Sequence, residues 1–299
     1  MTEFLEGLVI SNLGQGLAVE TKNKTILCQT RRNLEKVAVG DRVLWSQTGV
    51  DQGRVEKILP RRSLLARPNR NGNIRPVAAN IDKVFVVFAV EPYCDFLLID
   101  QYLAICENKT IDAELVFNKI DLGQNTDIEN ELLIYQSLNY PVHRVSTITQ
   151  TGQEELRQAS NQHISILTGQ SGVGKSSLTN ALIPNKYLKT KSISETTKHG
   201  RHTTTAATLY HLPDGGALID SPGVAIFGLA ELSEQQLTIG FREFQPLIEQ
   251  CNFHNCKHLH DKGCAIYHAA ETGKIAKSRY QRFLKLREKM PTKTRQLQL

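Results

Sequence analysis

A chain of 299 residues, 40% of them hydrophobic, has material for two or three modules rather than one. Its longest apolar candidate, Val84 to Val90, is far shorter than the roughly 20 residues of a membrane span, and Met1-Thr-Glu-Phe4 lacks a basic and then apolar leader pattern, so a cytoplasmic protein is expected. The net charge of +6 is unevenly spread: residues 1–76 hold 13 Lys/Arg against 7 Asp/Glu, residues 274–299 hold 9 against 1, and the stretch between holds 14 against 22. Two basic ends around an acidic middle suit a polyanion gripped from both sides, as a phosphate backbone is; two solvated basic faces are the plainer alternative.

From Glu6 to about Pro68 come short β-rich runs, Gly7 to Ile10, Leu17 to Val19, Thr25 to Cys28, Arg42 to Trp45 and Arg54 to Ile58, separated by turn signals at Asn12 to Gly16, Gly40-Asp41 and Gly49 to Gly53. Five short strands in so few residues predict a small closed barrel of the oligonucleotide-binding (OB) type, with an SH3-like barrel as competitor. The polar segment Arg67 to Pro76 reads as a linker. Strands and helices then alternate: strand Ile81 to Val90, helix Phe96 to Cys106, strand Glu114 to Phe117, helix Ile128 to Leu138, strand Val142 to Val145, helix Gln153 to Ala159 and strand Ile164 to Leu167. That is an α/β, doubly wound pattern. Beyond Gly223 the chain turns helical around a Cys/His cluster and ends in a helix from about Gly273 to Glu288, with Ala276, Tyr280, Phe283 and Leu284 on one face and Lys274, Lys277, Arg282, Lys285 and Lys289 around it. The expected units are residues 1–70, a barrel binding RNA; 71–228, a nucleotide-hydrolysing domain; and 229–299, a helical metal-binding module.

A phosphate loop, Gly169, Gln170, Ser171, Gly172, Val173, Gly174, Lys175, Ser176 and Ser177, follows a predicted strand and opens a predicted helix. Glycines let its amides curl around phosphate oxygens, Lys175 reaches the β/γ oxygens, and Ser176 ligates Mg²⁺. The tetrad Asn118, Lys119, Ile120 and Asp121 selects the base: a carboxylate at 121 accepts from N1–H and the 2-amino group of guanine, whereas adenine leaves it unpaired. Asn118 either meets the base edge or ties neighbouring loops together, and the Lys119 stem packs on the ring. Asp220-Ser-Pro-Gly223 supplies a carboxylate for Mg²⁺ through water and an amide for the γ-phosphate. Ser146 and Thr147 are expected to offer amides to guanine O6. A switch loop over Ser194 to Thr205 places Thr204 on Mg²⁺, with Thr203 and Thr205 open. Val224 stands where many GTPases carry a water-orienting Gln, so His202 or a group of the partner is expected to serve, with slow intrinsic turnover. The tetrad precedes the phosphate loop, the reverse of ordinary small GTPases, which implies a circularly permuted GTPase domain.

Cys251, Cys256, His258 and Cys264 have the donor types and short spacings of tetrahedral Zn²⁺, one structural ion, with Gly263 easing the last turn. His254 and His260 are alternatives by position. Cys28, Cys94 and Cys106, scattered among apolar residues, read as core thiols.

The permuted order, the phosphate loop, Gly200-Arg-His-Thr-Thr-Thr205, Asp220-Ser-Pro-Gly-Val224 and the Cys-x4-Cys-x-His-x5-Cys spacing together resemble the bacterial ribosome small-subunit-dependent GTPase A family over essentially the whole chain. The resemblance implies an N-terminal OB-fold β-barrel, a circularly permuted P-loop GTPase core, and a C-terminal α-helical zinc-binding module. It further implies GTP hydrolysis stimulated by the small ribosomal subunit, a role in that subunit's late maturation, and binding to ribosomal RNA. The competing readings are a non-enzymatic RNA-binding placeholder that holds GTP as a structural ligand and a P-loop ATPase with a coincidental tetrad. No oligomerisation signal is evident, so a monomer is expected.

Overall fold

The computed structural model describes residues 4–68, 74–183, 207–221 and 232–290. The switch loop with His202 and Thr204, and also Gly223 and Val224, lie outside the described residues.

Strands β1 (Leu5–Asn12), β2 (Leu17–Glu20), β3 (Thr25–Thr30), β4 (Arg42–Gly49) and β5 (Gln52–Ile58) run in the order β1-β2-β3-β5-β4, and β4 closes on β1. The β3–β5 pair is parallel while the other barrel pairs are antiparallel, so β3 ends and β4 begins at the same end of the barrel, and residues 31–41 pass across that end. That Greek-key closure is the OB arrangement and removes the SH3-like competitor. Alternation along the strands turns Val9, Val19, Val43 and Val55 inward around Trp45, which is only 3% exposed.

Both described ends of the segment read as a linker are strand instead. β6 (Leu64–Pro68) and β7 (Ile74–Ala79) pair antiparallel, and buried Leu65, Ala66, Ala78 and Ala79 tie the pair to the core. The paired strands stand on either side of the boundary expected at residue 70.

In the α/β region, β8 (Lys83–Ala89), β9 (Asp112–Asn118), β10 (Val142–Val145), β11 (Ile164–Gly169), β12 (Thr208–His211) and β13 (Ala217–Asp220) take the order β10-β9-β8-β11-β13-β12, parallel except for β12. On one face, α3 (Gln153–Ser160) and α4 (Lys175–Leu182) bury Leu156 and Leu178 against Phe85, Val87, Val116 and Val145. The other face is covered by α1 (Phe96–Lys109) and α2 (Thr126–Ser137). Asp95 caps α1 by accepting from the amides of Leu97 and Leu98, and Thr110 ends it in the left-handed region.

Two junctions escape any reading of local pattern. First, β1 pairs with β12 through Ser11 and Thr208, whose hydroxyls meet at 3.0 Å in a buried contact, so barrel and α/β sheet form one eleven-stranded sheet. Second, of the C-terminal helices α5 (Glu234–Ile239), α6 (Gln245–Ile248), α7 (Ala265–Glu271) and α8 (Lys277–Glu288), α5 and α8 pack back onto α1, while α7 packs on α6 and α8. Helix α8 starts four residues later than expected, after Gly273 takes a φ of +76° and Ala276 becomes its N-cap. Part of its basic character is spent internally. Arg279, 1% exposed, donates to Asp100 (2.5 Å) and Glu243 (2.7 Å), while Arg282 donates to Asp100 (2.5 Å) and Glu131 (2.7 Å).

Candidate functional site

The C-terminal ends of β10, β9, β8, β11 and β13 lie side by side, and every described nucleotide-site residue stands there: Ser146 after β10, Asn118 closing β9, Gly169 closing β11, and Asp220 closing β13. In an open α/β sheet this edge is where ligands bind, because loops diverge there and a helix N-terminus faces the gap.

The phosphate loop needs its glycines for close approach. A Cβ on Gly169 would stand 2.0 Å from the Val87 carbonyl oxygen, and one on Gly174 would stand 2.2 Å from Asn118 Nδ2. Gly169, Gly172 and Gly174 all have positive φ. Gly174 caps α4 without any side-chain acceptor, so the first amides of that helix present their dipole to the loop's mouth. Ser171, Gly172, Ser176 and Ser177 are exposed there, with Gln170 half-buried, while Val173 is fully buried and anchors the loop. Lys175, half-buried, donates to the carbonyls of Gly169 (2.8 Å) and Gln170 (2.6 Å), and burial lowers its pKa.

Asn118 joins two loops of the site. It is 1% exposed, its Nδ2 donates to the Val173 carbonyl at 2.8 Å, and so it ties the tetrad to the phosphate loop. Its Oδ1 is buried without a hydrogen-bond partner, a capacity that a bound nucleotide would satisfy. Lys119 adopts φ +63° and its ammonium donates to Glu91 O at 2.8 Å, which stretches its stem across the end of β8. Ile120 opens the 3₁₀ turn that carries Asp121, whose exposed carboxylate accepts from Ser146 Oγ at 2.5 Å. Ser146 plays a different part from the one expected. Its amide already donates to Thr151 O (3.0 Å), so its contribution comes through the hydroxyl, which also accepts from the amides of Ile148 and Thr149. Thr147 is half-buried in the same turn.

Beyond Asp220 in the chain, Cys251, Cys256, His258 and Cys264 converge, with all four ligand atoms within 4.8 Å of one another. His258 Nδ1 lies 3.6 Å from Cys251 Sγ and 3.7 Å from Cys264 Sγ. His258 holds φ +57°, is buried, and its carbonyl accepts from the Tyr280 hydroxyl at 2.8 Å, so α8 fixes the imidazole's backbone. His254 and His260 are exposed, and the His260 ring packs edge-on against Tyr267 rather than entering the cluster. Burial and the neighbouring thiols push the Cys256 thiol up to about 12 in the protein alone. A dication bound to the thiolates would reverse that repulsion. Cys28, Cys94 and Cys106 lie apart from this group, and burial raises each thiol to about 12, as inert core thiols require.

A phosphate loop and a guanine-type tetrad on one sheet edge, with the tetrad strand earlier in the chain than the loop strand, define a circularly permuted GTPase carrying an OB barrel and a Cys₃His module. The chain belongs to the RsgA GTPase family, whose model matches residues 58–230. It is a GTP-hydrolysing enzyme. A protein of Haemophilus influenzae (strain PittGG) named small ribosomal subunit biogenesis GTPase RsgA is 41% identical over 297 residues, covering 96% of this chain and 86% of its own. Its namesake from Pectobacterium carotovorum subsp. carotovorum (strain PC1) is 44% identical over 296 residues, covering 95% and 84%. Among solved structures, YjeQ from Thermotoga maritima superimposes with a TM-score of 0.76 at 33% identity over 95% of this chain and 97% of that one. YloQ, described as a circularly permuted GTPase, does so with 0.74 at 25% identity over 97% of each.

Proposed function

We propose that this GTPase acts in late maturation of the small ribosomal subunit, that the subunit stimulates its turnover, and that ribosomal RNA is its macromolecular ligand. The hydrogen bond from Asn118 to Val173 carries the nucleotide half of this reading, because it makes base recognition and phosphate binding one rigid unit. The relatives named for small ribosomal subunit biogenesis support the other half. So does the barrel's charge: Arg31, Arg32, Lys36 and Lys57 are exposed and make no ion pair among the described residues, whereas Lys24, Arg42, Arg54, Arg61 and Arg62 are paired with carboxylates. Unspent cations near the ends of β3 and β5 suit phosphate contacts.

In this reading Asp121 accepts from the guanine edge, Lys119 covers the ring, and the phosphate-loop amides with Lys175 hold the β- and γ-phosphates. Ser176, and Asp220 through water, would hold Mg²⁺, which would supply charge neutralisation at the transferring phosphoryl group. Thr204 and the Gly223 amide complete the γ-phosphate contacts, and His202 or the partner orients water in the place that Val224 cannot fill. One structural Zn²⁺ on Cys251, Cys256, His258 and Cys264 organises the C-terminal module. The working units are residues 1–70, 71–228 and 229–299, in a monomer. Among the described residues no helix is long and apolar enough to cross a membrane, and a cytoplasmic location goes with the ribosomal partner.

Phosphate release from GTP and ATP, with and without purified small subunits at low and high salt, tests the reading. GTP-selective turnover that rises with subunits and falls with salt is expected; turnover indifferent to subunits would remove the ribosomal half.

A further inference from the structure

Strand β1 changes partner along its length. Leu5 to Leu8 pair with β4 and close the barrel, whereas Ser11 pairs with Thr208 of β12, outside it. Between the two stretches lies a β-bulge: Val9 opposes Val19 and Ser11 opposes the next residue, Ala18, so Ile10 is the extra residue. The bulge lets Val9 face the barrel core while Ile10 joins the core of the α/β region, and it leaves Ser11 facing β12. Ser11 and Thr208 are both buried. Ser11 Oγ donates to the Ala207 carbonyl at 3.3 Å, so the Thr208 hydroxyl, 3.0 Å away, gives its proton to Ser11. A second contact between the barrel and β12, His211 with Glu20 at 2.7 Å, lies at the exposed rim. Thr208 in turn stands opposite Asp220 in the β12–β13 register. One cross-strand row therefore runs through Asp220, Thr208, Ser11, Ala18 and Leu27. It starts at the nucleotide edge of the sheet and ends on β3, the strand that leads to the exposed Arg31 and Arg32. Strands in such a ladder move together, because displacing one costs the hydrogen bonds it shares with the next.

We propose that Ser11 and Thr208 are positioning residues for hydrolysis. Their hydroxyl pair ties the strand beside Asp220 to the barrel, so that a ligand seated on the barrel fixes the carboxylate that would hold Mg²⁺ through water. This rests on the reading that the small subunit stimulates turnover, and adds the route by which it does so. Both residues act through Asp220, and neither is a catalytic group.

The full-length chain and its Thr208→Val, Thr208→Ser and Glu20→Ala variants are compared with purified small subunits. The readouts are the ratio of stimulated to basal GTP turnover, the affinity for subunits, and the gain that Mg²⁺ gives in binding a non-hydrolysable GTP analogue to the subunit-bound protein. Valine keeps the shape of threonine and leaves Ser11 its bond to Ala207, so only the hydroxyl pair is lost. Loss of one buried hydrogen bond predicts that Thr208→Val lowers the turnover ratio and the Mg²⁺ gain by roughly 2- to 10-fold, with subunit affinity unchanged. Thr208→Ser restores both. Glu20→Ala removes the rim contact at His211, which pairs with Ala217 at the far end of β13 from Asp220, and leaves both at their wild-type values. A wild-type ratio in Thr208→Val overturns the inference and leaves the stimulation reading standing. A lower ratio with an unchanged Mg²⁺ gain overturns it too, because Asp220 is then not the target. So does an equal fall in Glu20→Ala, which makes the effect one of the whole junction. Weaker subunit binding in place of a lower ratio overturns it by confining the contact to the barrel's shape. A wild type that subunits do not stimulate overturns the stimulation reading itself, and the inference with it. Should Thr208→Val fail to fold by circular dichroism, Ser11→Ala decides on the same criteria.

Discussion

Asp121→Asn is the substitution whose outcome the site geometry dictates most fully. Ser146 Oγ accepts from two backbone amides, of Ile148 at 3.2 Å and Thr149 at 3.1 Å, so its lone pairs are used and its proton must point at residue 121. An asparagine there is compelled to turn its carbonyl oxygen toward Ser146 and its NH₂ toward the base. Guanine presents N1–H and a 2-amino group, both donors, so two charge-assisted bonds are replaced by donors facing donors. At about 1.5–3 kcal/mol for each lost bond, GTP affinity falls by about 3–6 kcal/mol, on the order of 10²- to 10⁴-fold. Xanthine carries an acceptor oxygen in place of the amino group, so the same variant should prefer xanthosine triphosphate over GTP. Competitive equilibrium binding of GTP, XTP and ATP in the presence of Mg²⁺ measures this. Adding Ser146→Ala frees the amide to rotate and should recover part of the GTP affinity. Retention of GTP affinity within about threefold by Asp121→Asn, or no recovery from the second substitution, would refute the orientation argument.

Asp100 is fully buried and accepts from Arg279, Arg282 and Tyr135, each at 2.5 Å. Asp100→Asn leaves two buried guanidinium groups short of a countercharge and should destabilise the fold by about 3–5 kcal/mol in urea unfolding followed by circular dichroism, against about 1 kcal/mol for Tyr135→Phe; equal small effects would mean that the network is solvated. Glu114 gives a pH prediction. Burial raises its carboxyl, but hydrogen bonds from His143 and Lys83 outweigh that and hold it below its ordinary 4.5. A depressed folded-state pKa stabilises above the unfolded value and is lost as pH falls through the folded one. Stability should therefore drop on acidification below about 4.5, and less steeply in Glu114→Gln; parallel curves for the two proteins would exclude this group from the acid response.

That the candidate nucleotide and metal residues come together was legible in the sequence because each group depends on a few side chains at short spacing: Gly169 to Ser177, Asn118 to Asp121, and Cys251 to Cys264. The strand and helix alternation was legible for the same reason, since fully buried strands such as β8 read as unbroken apolar runs. Contacts between residues far apart in the chain were not. Nothing in the local pattern distinguishes Asn118 as a reader of the base from Asn118 as a tie to Val173, or tells that the Ser146 amide is already taken by Thr151. Arg282 read as one of the basic residues around the last helix, because charge is visible in sequence and burial is not; only packing against Asp100, which Arg279 also meets from 179 residues away, turned it inward. The joining of barrel and GTPase sheet through Ser11 and Thr208, 197 residues apart, has no local signature either. Covalent spacing determined which chemistry the chain can carry, and long-range burial and hydrogen bonding decided how its loops and modules are held together.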